Sequence, residues 1–71
     1  MQAAVVYVGD RLKNLRTLNA LTQAELADRA GLTTAAVARI ERDEVEPRPT
    51  TLRKLAKALD IDASELVPEE E

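Results

Sequence analysis

Cysteine and histidine are both absent from this chain of 71 residues. Without cysteine there is no disulfide framework and no thiolate metal site. Without histidine the commonest general base and metal ligand is missing too. Aromatic content is one tyrosine, Tyr7, which rules out the stacking platform that single-strand binders use. No apolar run approaches the length of about 18 residues that a membrane-crossing helix needs. The opening stretch MQAAVVYV is apolar, but it is brief and lacks the basic leader of a secretory signal. The carboxylates all have cap or surface explanations, and no nucleophile–base pair can be assembled. The expectation is a non-enzymatic cytoplasmic chain with no catalytic residues, no metal, no cofactor and no membrane partner.

What is present bounds the answer further. The length leaves room for one domain, and a chain this short buries only about 60% of its unfolded surface. The formal net charge is −3, which runs against a polyanionic partner. The charge is unevenly spread, however. Residues 1–60 hold ten basic and eight acidic side chains, whereas residues 61–71 hold five acids and no base. The acidity is concentrated in the tail, and the remainder is weakly basic.

The chain is organised around residues 22–41, TQAELADRAGLTTAAVARIE. Leu26, Ala27 and Ala30 share one face of a helix predicted over 23–30, and Val37 and Ile40 share one face of another over 34–41. Gly31 stands between them, where a helix C-terminus calls for a left-handed residue. Thr22 and Glu25 have the spacing of a capping box, and Thr33 is placed to cap the following helix. Two short helices joined by a glycine turn describe a helix-turn-helix. The start of the first, at Thr22 and Gln23, offers free backbone N–H groups to a phosphate.

The outer face of the second helix carries Thr33, Thr34, Ala35, Ala38, Arg39 and Arg42. If this helix reads bases, alanine can touch a thymine methyl, threonine can add a methyl or hydroxyl, and arginine can grip guanine O6 and N7. Arg39 then carries most of the polar discrimination, with Thr34 as a secondary reader.

Around this pair the pattern predicts three more helices and no internal repeat. Asp10 is the expected N-cap of the first, with Leu12, Leu15 and Leu18 as its buried stripe. Arg11, Lys13 and Arg16 give it a basic surface, and Arg11 and Lys13 are open to either solvent or phosphate. After the loop RDEVEPRP, Thr50 is the expected cap of a helix burying Leu52, Leu55, Ala56 and Leu59. Asp62 and Glu65 suggest a second capping box on a last short helix, with Leu66 and Val67 turned inward before Pro68. Ahead of the domain, the β-branched run 3–8 has three open readings: a disordered arm, an irregular lead-in with Val8 on the core, or a strand paired with its copy in a second subunit.

These residues resemble the phage-repressor and Cro type (XRE-like) of helix-turn-helix DNA-binding domain. The resemblance rests on Leu12, Leu15, Arg16, the run Thr22-Gln23-Ala24-Glu25-Leu26-Ala27, Gly31-Leu32, Val37 and Ile40-Glu41. Pro47, Leu52, Leu55-Ala56, Leu59, Ile61 and Leu66 extend it downstream. It implies an all-α, compact, five-helix lambda-repressor-like domain over residues 9–67, with an apolar N-terminal arm at 1–8 and an acidic tail at 68–71. It also implies that Thr33, Thr34, Ala35 and Arg39 face the major groove, and that Thr22, Gln23, Arg42 and Arg48 position the protein on phosphates. Arg16 and Glu41 would form a structural ion pair, which suits an arginine fork and a carboxylate. Two departures from the family pattern stand out: Ala20 and Asp43 occupy positions where glycine is usual, and the loop meant for phosphate contains Asp43, Glu44 and Glu46.

The implied function is sequence-specific binding of double-stranded DNA by a transcriptional regulator, a repressor more readily than an activator. It would act as a homodimer on a palindromic operator, with Val5, Val6, Tyr7 and Val8 as candidate dimer contacts. Two alternatives stay open. One is the antitoxin of a toxin–antitoxin pair, with a toxin or other regulatory protein as partner. The other is an interaction module that has lost DNA binding.

Overall fold

In the computed structural model, which describes residues 8–66, four α-helices and a 3₁₀ turn follow one another: α1 (Val8–Leu18), α2 (Gln23–Ala30), α3 (Thr34–Glu41), α4 (Pro49–Leu59) and the turn Ala63–Glu65. There is no strand among the described residues. α2 packs on both α3 and α4, α1 packs on α3, and the 3₁₀ turn packs on α4. One core holds them together. Leu12, Leu26, Val37, Leu55 and Leu66 are fully buried within it, one from each element or its end. Each contributes on the order of 2 kcal/mol of transfer free energy. No described helix is long and apolar enough to cross a membrane.

Local chemistry sets the helix starts. Thr22 Oγ1 accepts the Glu25 N–H at 3.0 Å while the Thr22 N–H donates to Glu25 Oε1 at 2.8 Å, so the predicted capping box is formed. Thr33 Oγ1 accepts the Ala36 N–H at 3.0 Å and starts α3. All four α-helices end alike. A left-handed residue follows each (Ala20, Gly31, Asp43 and Asp60, φ 58–71°). Paired backbone bonds of the Schellman type close the turn, such as Leu32 N–H to Ala27 O at 2.8 Å and Leu21 N–H to Arg16 O at 3.1 Å. Glycine fills only one of these four places.

Several expectations are corrected. The fifth element is a single 3₁₀ turn, so the domain has four α-helices; the Asp62–Glu65 capping box does not form, and the turn is closed by backbone bonds alone. α4 begins with Pro49 at its first position and Arg48 at the cap site, without a side-chain cap bond. Proline suits that position because its missing N–H would have had no partner in the helix; Thr50 therefore lies inside the helix. Asp10 is not the cap of α1, which starts at Val8. The first-turn N–H of Gly9 instead meets Asp43 Oδ1 at 3.2 Å, across 34 positions of sequence. Leu18 is 81% exposed. Two steps of three residues carry it about 120° around the helix from Leu12, off the buried stripe. Val8 is half-buried against the core as the first residue of α1. Val5, Val6, Tyr7 and Val67 lie outside the described residues.

Candidate nucleic-acid interface

The relation between α2 and α3 is fixed by a network around one buried carboxylate. Glu41 ends α3, and its side chain is 3% exposed. Arg16, from α1, grips it with both arms of its guanidinium: Nε donates to Oε2 at 2.6 Å and Nη2 donates to Oε1 at 3.0 Å. The third nitrogen, Nη1, donates to the Leu21 carbonyl at 2.8 Å in the α1–α2 turn. Gln23, the first residue of α2, adds a bond from Nε2 to Glu41 Oε1 at 3.0 Å. One carboxylate thus ties together α1, the turn, the start of α2 and the end of α3. Burial pushes the Glu41 carboxyl upward, but the hydrogen bonds from Arg16 and Gln23 overcome it and hold the group below the ordinary carboxylate range. The bond to Glu41 in turn raises Arg16 above its ordinary value, despite the burial that opposes it.

The ion pair is as the resemblance implied. The part played by Gln23 is not legible in sequence, because it depends on the depth at which the amide sits. No local pattern distinguishes a glutamine that reaches a buried carboxylate from one that faces solvent. At the same place the capping box occupies the N–H of Glu25, and the Leu26 N–H bonds to the Thr22 carbonyl. The N–H groups of Gln23 and Ala24 stay open at the exposed helix start, among the described residues.

On α3, Thr34, Ala35 and Arg39 are exposed and Ala38 is half-buried, while Val37 and Ile40 turn to the core. Thr33 is exposed, but its oxygen is committed to capping, which leaves the hydroxyl proton as its free donor. Arg39 and Arg48 both border an open concavity of about 360 Å³ between α3 and the following loop, with Leu32, Ala36 and Val45 among its walls. Arg42 is exposed and forks the Glu44 carboxylate, Nε to Oε2 at 2.8 Å and Nη2 to Oε1 at 3.3 Å. Arg11, which sequence left between solvent and phosphate, does neither. It is half-buried, and Nη1 donates to the Glu65 carbonyl at 3.1 Å, joining α1 to the 3₁₀ turn. No group of metal-binding side chains occurs among the described residues. The arrangement is therefore one of shape and polar contact: a slim, exposed helix face with one long cation, flanked by a helix start with open N–H groups.

Comparison with known proteins gives the same reading. A helix-turn-helix family model matches residues 12–66. The chain is 44% identical over 63 residues to the immunity repressor protein of Bacillus phage phi105, an alignment covering 89% of this chain and 44% of that protein. This chain thus spans less than half the length of that relative. Among solved structures it is similar to the restriction-modification controller protein C.AhdI from Aeromonas hydrophila, with 40% identity and TM-score 0.83 over 84% of this chain and 91% of that one. It is also similar to the P22 c2 repressor, solved in complex with a synthetic operator, with 30% identity and TM-score 0.82 over 89% and 96% of the two chains. The chain belongs to the helix-turn-helix family of the phage-repressor and Cro (XRE) type.

Proposed function

We propose that this protein is a transcriptional repressor that binds double-stranded DNA sequence-specifically, as a homodimer, with one α3 in the major groove of each half of a palindromic operator. The observation that carries the reading is the Arg16–Glu41–Gln23 network, which locks α2 against α3 and leaves the outer face of α3 bare. That is the geometry in which one helix enters the groove while the other spans the backbone. An immunity repressor and a repressor solved with a synthetic operator, both similar to this chain, support it. Repression follows wherever the operator overlaps a promoter, because a bound dimer excludes polymerase.

Contacts divide by chemistry. Arg39 and Thr34 meet base edges, Ala35 packs on a thymine methyl, and Thr33 contributes its hydroxyl proton. Thr22, Gln23 and the open N–H groups at the start of α2 take a phosphate. Arg42 and Arg48 take others along the backbone. The test is an unbiased duplex selection at fixed salt with wild type and R39A. Wild type should enrich a palindrome. R39A should lose about 1–3 kcal/mol on it and flatten the preference at one base pair, a guanine. If wild type enriches no palindrome, or R39A enriches the same motif with equal discrimination, the assignment fails.

A further inference from the structure

Three carboxylates, Asp43, Glu44 and Glu46, follow directly on the end of α3, where free helix carbonyls already favour cations over anions. The structure gives them different duties. Asp43 turns back to the start of α1 and accepts the Gly9 N–H. Glu44 has no such structural task. Its backbone N–H closes the helix end on the Arg39 carbonyl at 2.9 Å, a bond that does not need a carboxylate side chain. Its carboxylate instead fills the fork of Arg42, and both side chains are well exposed, 62% for Arg42 and 49% for Glu44. Arg39 lies close enough to act on the same carboxylate through its charge. A guanidinium fork that takes two carboxylate oxygens is also the fork that takes two phosphate oxygens.

We infer that Glu44 sets the affinity of the DNA interface. Its carboxylate holds the fork of Arg42 in the free protein, and a backbone phosphate must displace it. This rests on the DNA-binding reading above and gives the acidic loop a role within it. Wild-type Arg42 is already neutralised, so seating it on a phosphate releases little counterion. The displaced carboxylate is left beside the phosphate. Because the exchange takes place on the backbone, it changes affinity without changing which bases are preferred.

The test is a double-mutant cycle on the intact protein with wild type, E44Q, R42Q and R42Q/E44Q. Binding is read by fluorescence anisotropy at several salt concentrations, on the selected duplex and on a scrambled one. E44Q should tighten both duplexes alike, by about twofold to fivefold per protomer, the range that an exposed ion pair supplies. Its salt slope should steepen by about one unit per protomer, as Arg42 becomes a full phosphate contact. In the R42Q background the same change should give a distinctly smaller gain. A gain under twofold, an equal gain with and without Arg42, or a loss of affinity in E44Q would each overturn the inference. If wild type and E44Q both bind no duplex, the DNA-binding reading fails and takes the inference with it. If both bind equally well, only the role of Glu44 fails.

Discussion

Glu41 is the charged residue among the buried side chains of the described domain, and its removal leaves a cation that cannot neutralise itself. Replacing it with alanine should cost about 3 kcal/mol, because Arg16 stays charged, mostly buried and unpaired. For a domain holding roughly 5 kcal/mol in total, that is close to unfolding. Urea unfolding of E41A checks it, and a loss below about 0.5 kcal/mol would contradict a buried pair. The same residue fixes an acid limb. Its carboxyl is depressed in the folded state, so the unfolded chain takes up the proton first as pH falls. The stabilisation is complete above the ordinary carboxylate value and is lost as pH drops toward the depressed one. Unfolding midpoints recorded across that acid range should fall less steeply in E41Q than in wild type. Ala20 presents the opposite case, a residue that strains the chain. It is exposed and left-handed at φ 58°, a conformation that costs an L-residue about 1–2 kcal/mol. A20G relieves that strain but loosens the unfolded chain. The net expectation is a gain of about 0.5–1 kcal/mol by urea titration.

At the scale of elements, the seam between α1 and the end of α3 is a close approach. A β-carbon at Gly9 would lie 2.6 Å from the Ile40 carbonyl oxygen and 2.7 Å from the Glu41 carbonyl oxygen and Asp43 Oδ1. Two of those atoms are backbone and cannot swing aside as a side chain would; the Ile40 oxygen also accepts the Asp43 N–H at 3.0 Å. Glycine to alanine inside a helix ordinarily gains about 1 kcal/mol from propensity. G9A should instead lose about 2 kcal/mol, as overpacked sites do. Thermal unfolding distinguishes the two signs. A stabilised G9A would mean that α1 does not approach α3 so closely. The Arg16–Glu41 pair spans the same seam.

At the scale of the molecule, α3 exposes only Thr34, Ala35 and Arg39 along its outer face, so the proposed half-site contact is small and asks for a second copy to double it. The weak positive balance of residues 1–60 points the same way, since one protomer neutralises few phosphates. We expect a homodimer, formed at least on DNA, by sedimentation at micromolar concentration with and without the selected duplex. A monomer under both conditions would refute it. The candidate contacts Val5, Val6 and Tyr7 lie outside the described residues, so truncation of residues 1–7 separates an arm-mediated dimer from one formed through the folded domain.

Much of this was legible in the residues themselves, for a physical reason. Capping boxes, glycine turns and helical spacing are local: Thr22, Glu25, Gly31 and Thr33 act within a turn or two of where they stand, and the α2–α3 unit follows from them. The family pattern added Arg16–Glu41, a pair 25 positions apart that no local rule finds. Tertiary structure decided the rest, wherever a group's partner comes from far along the chain or its depth sets its role. Asp10 had the chemistry of a cap, yet Asp43 supplies the bond to α1 because the fold brings it there. Leu18 looked apolar enough to be core, but the axis of α1 leaves it in water. Gln23 turned inward to a carboxylate 18 positions away. Local bonding chose the helices and their ends, while packing chose which polar groups are buried and which stay at the surface.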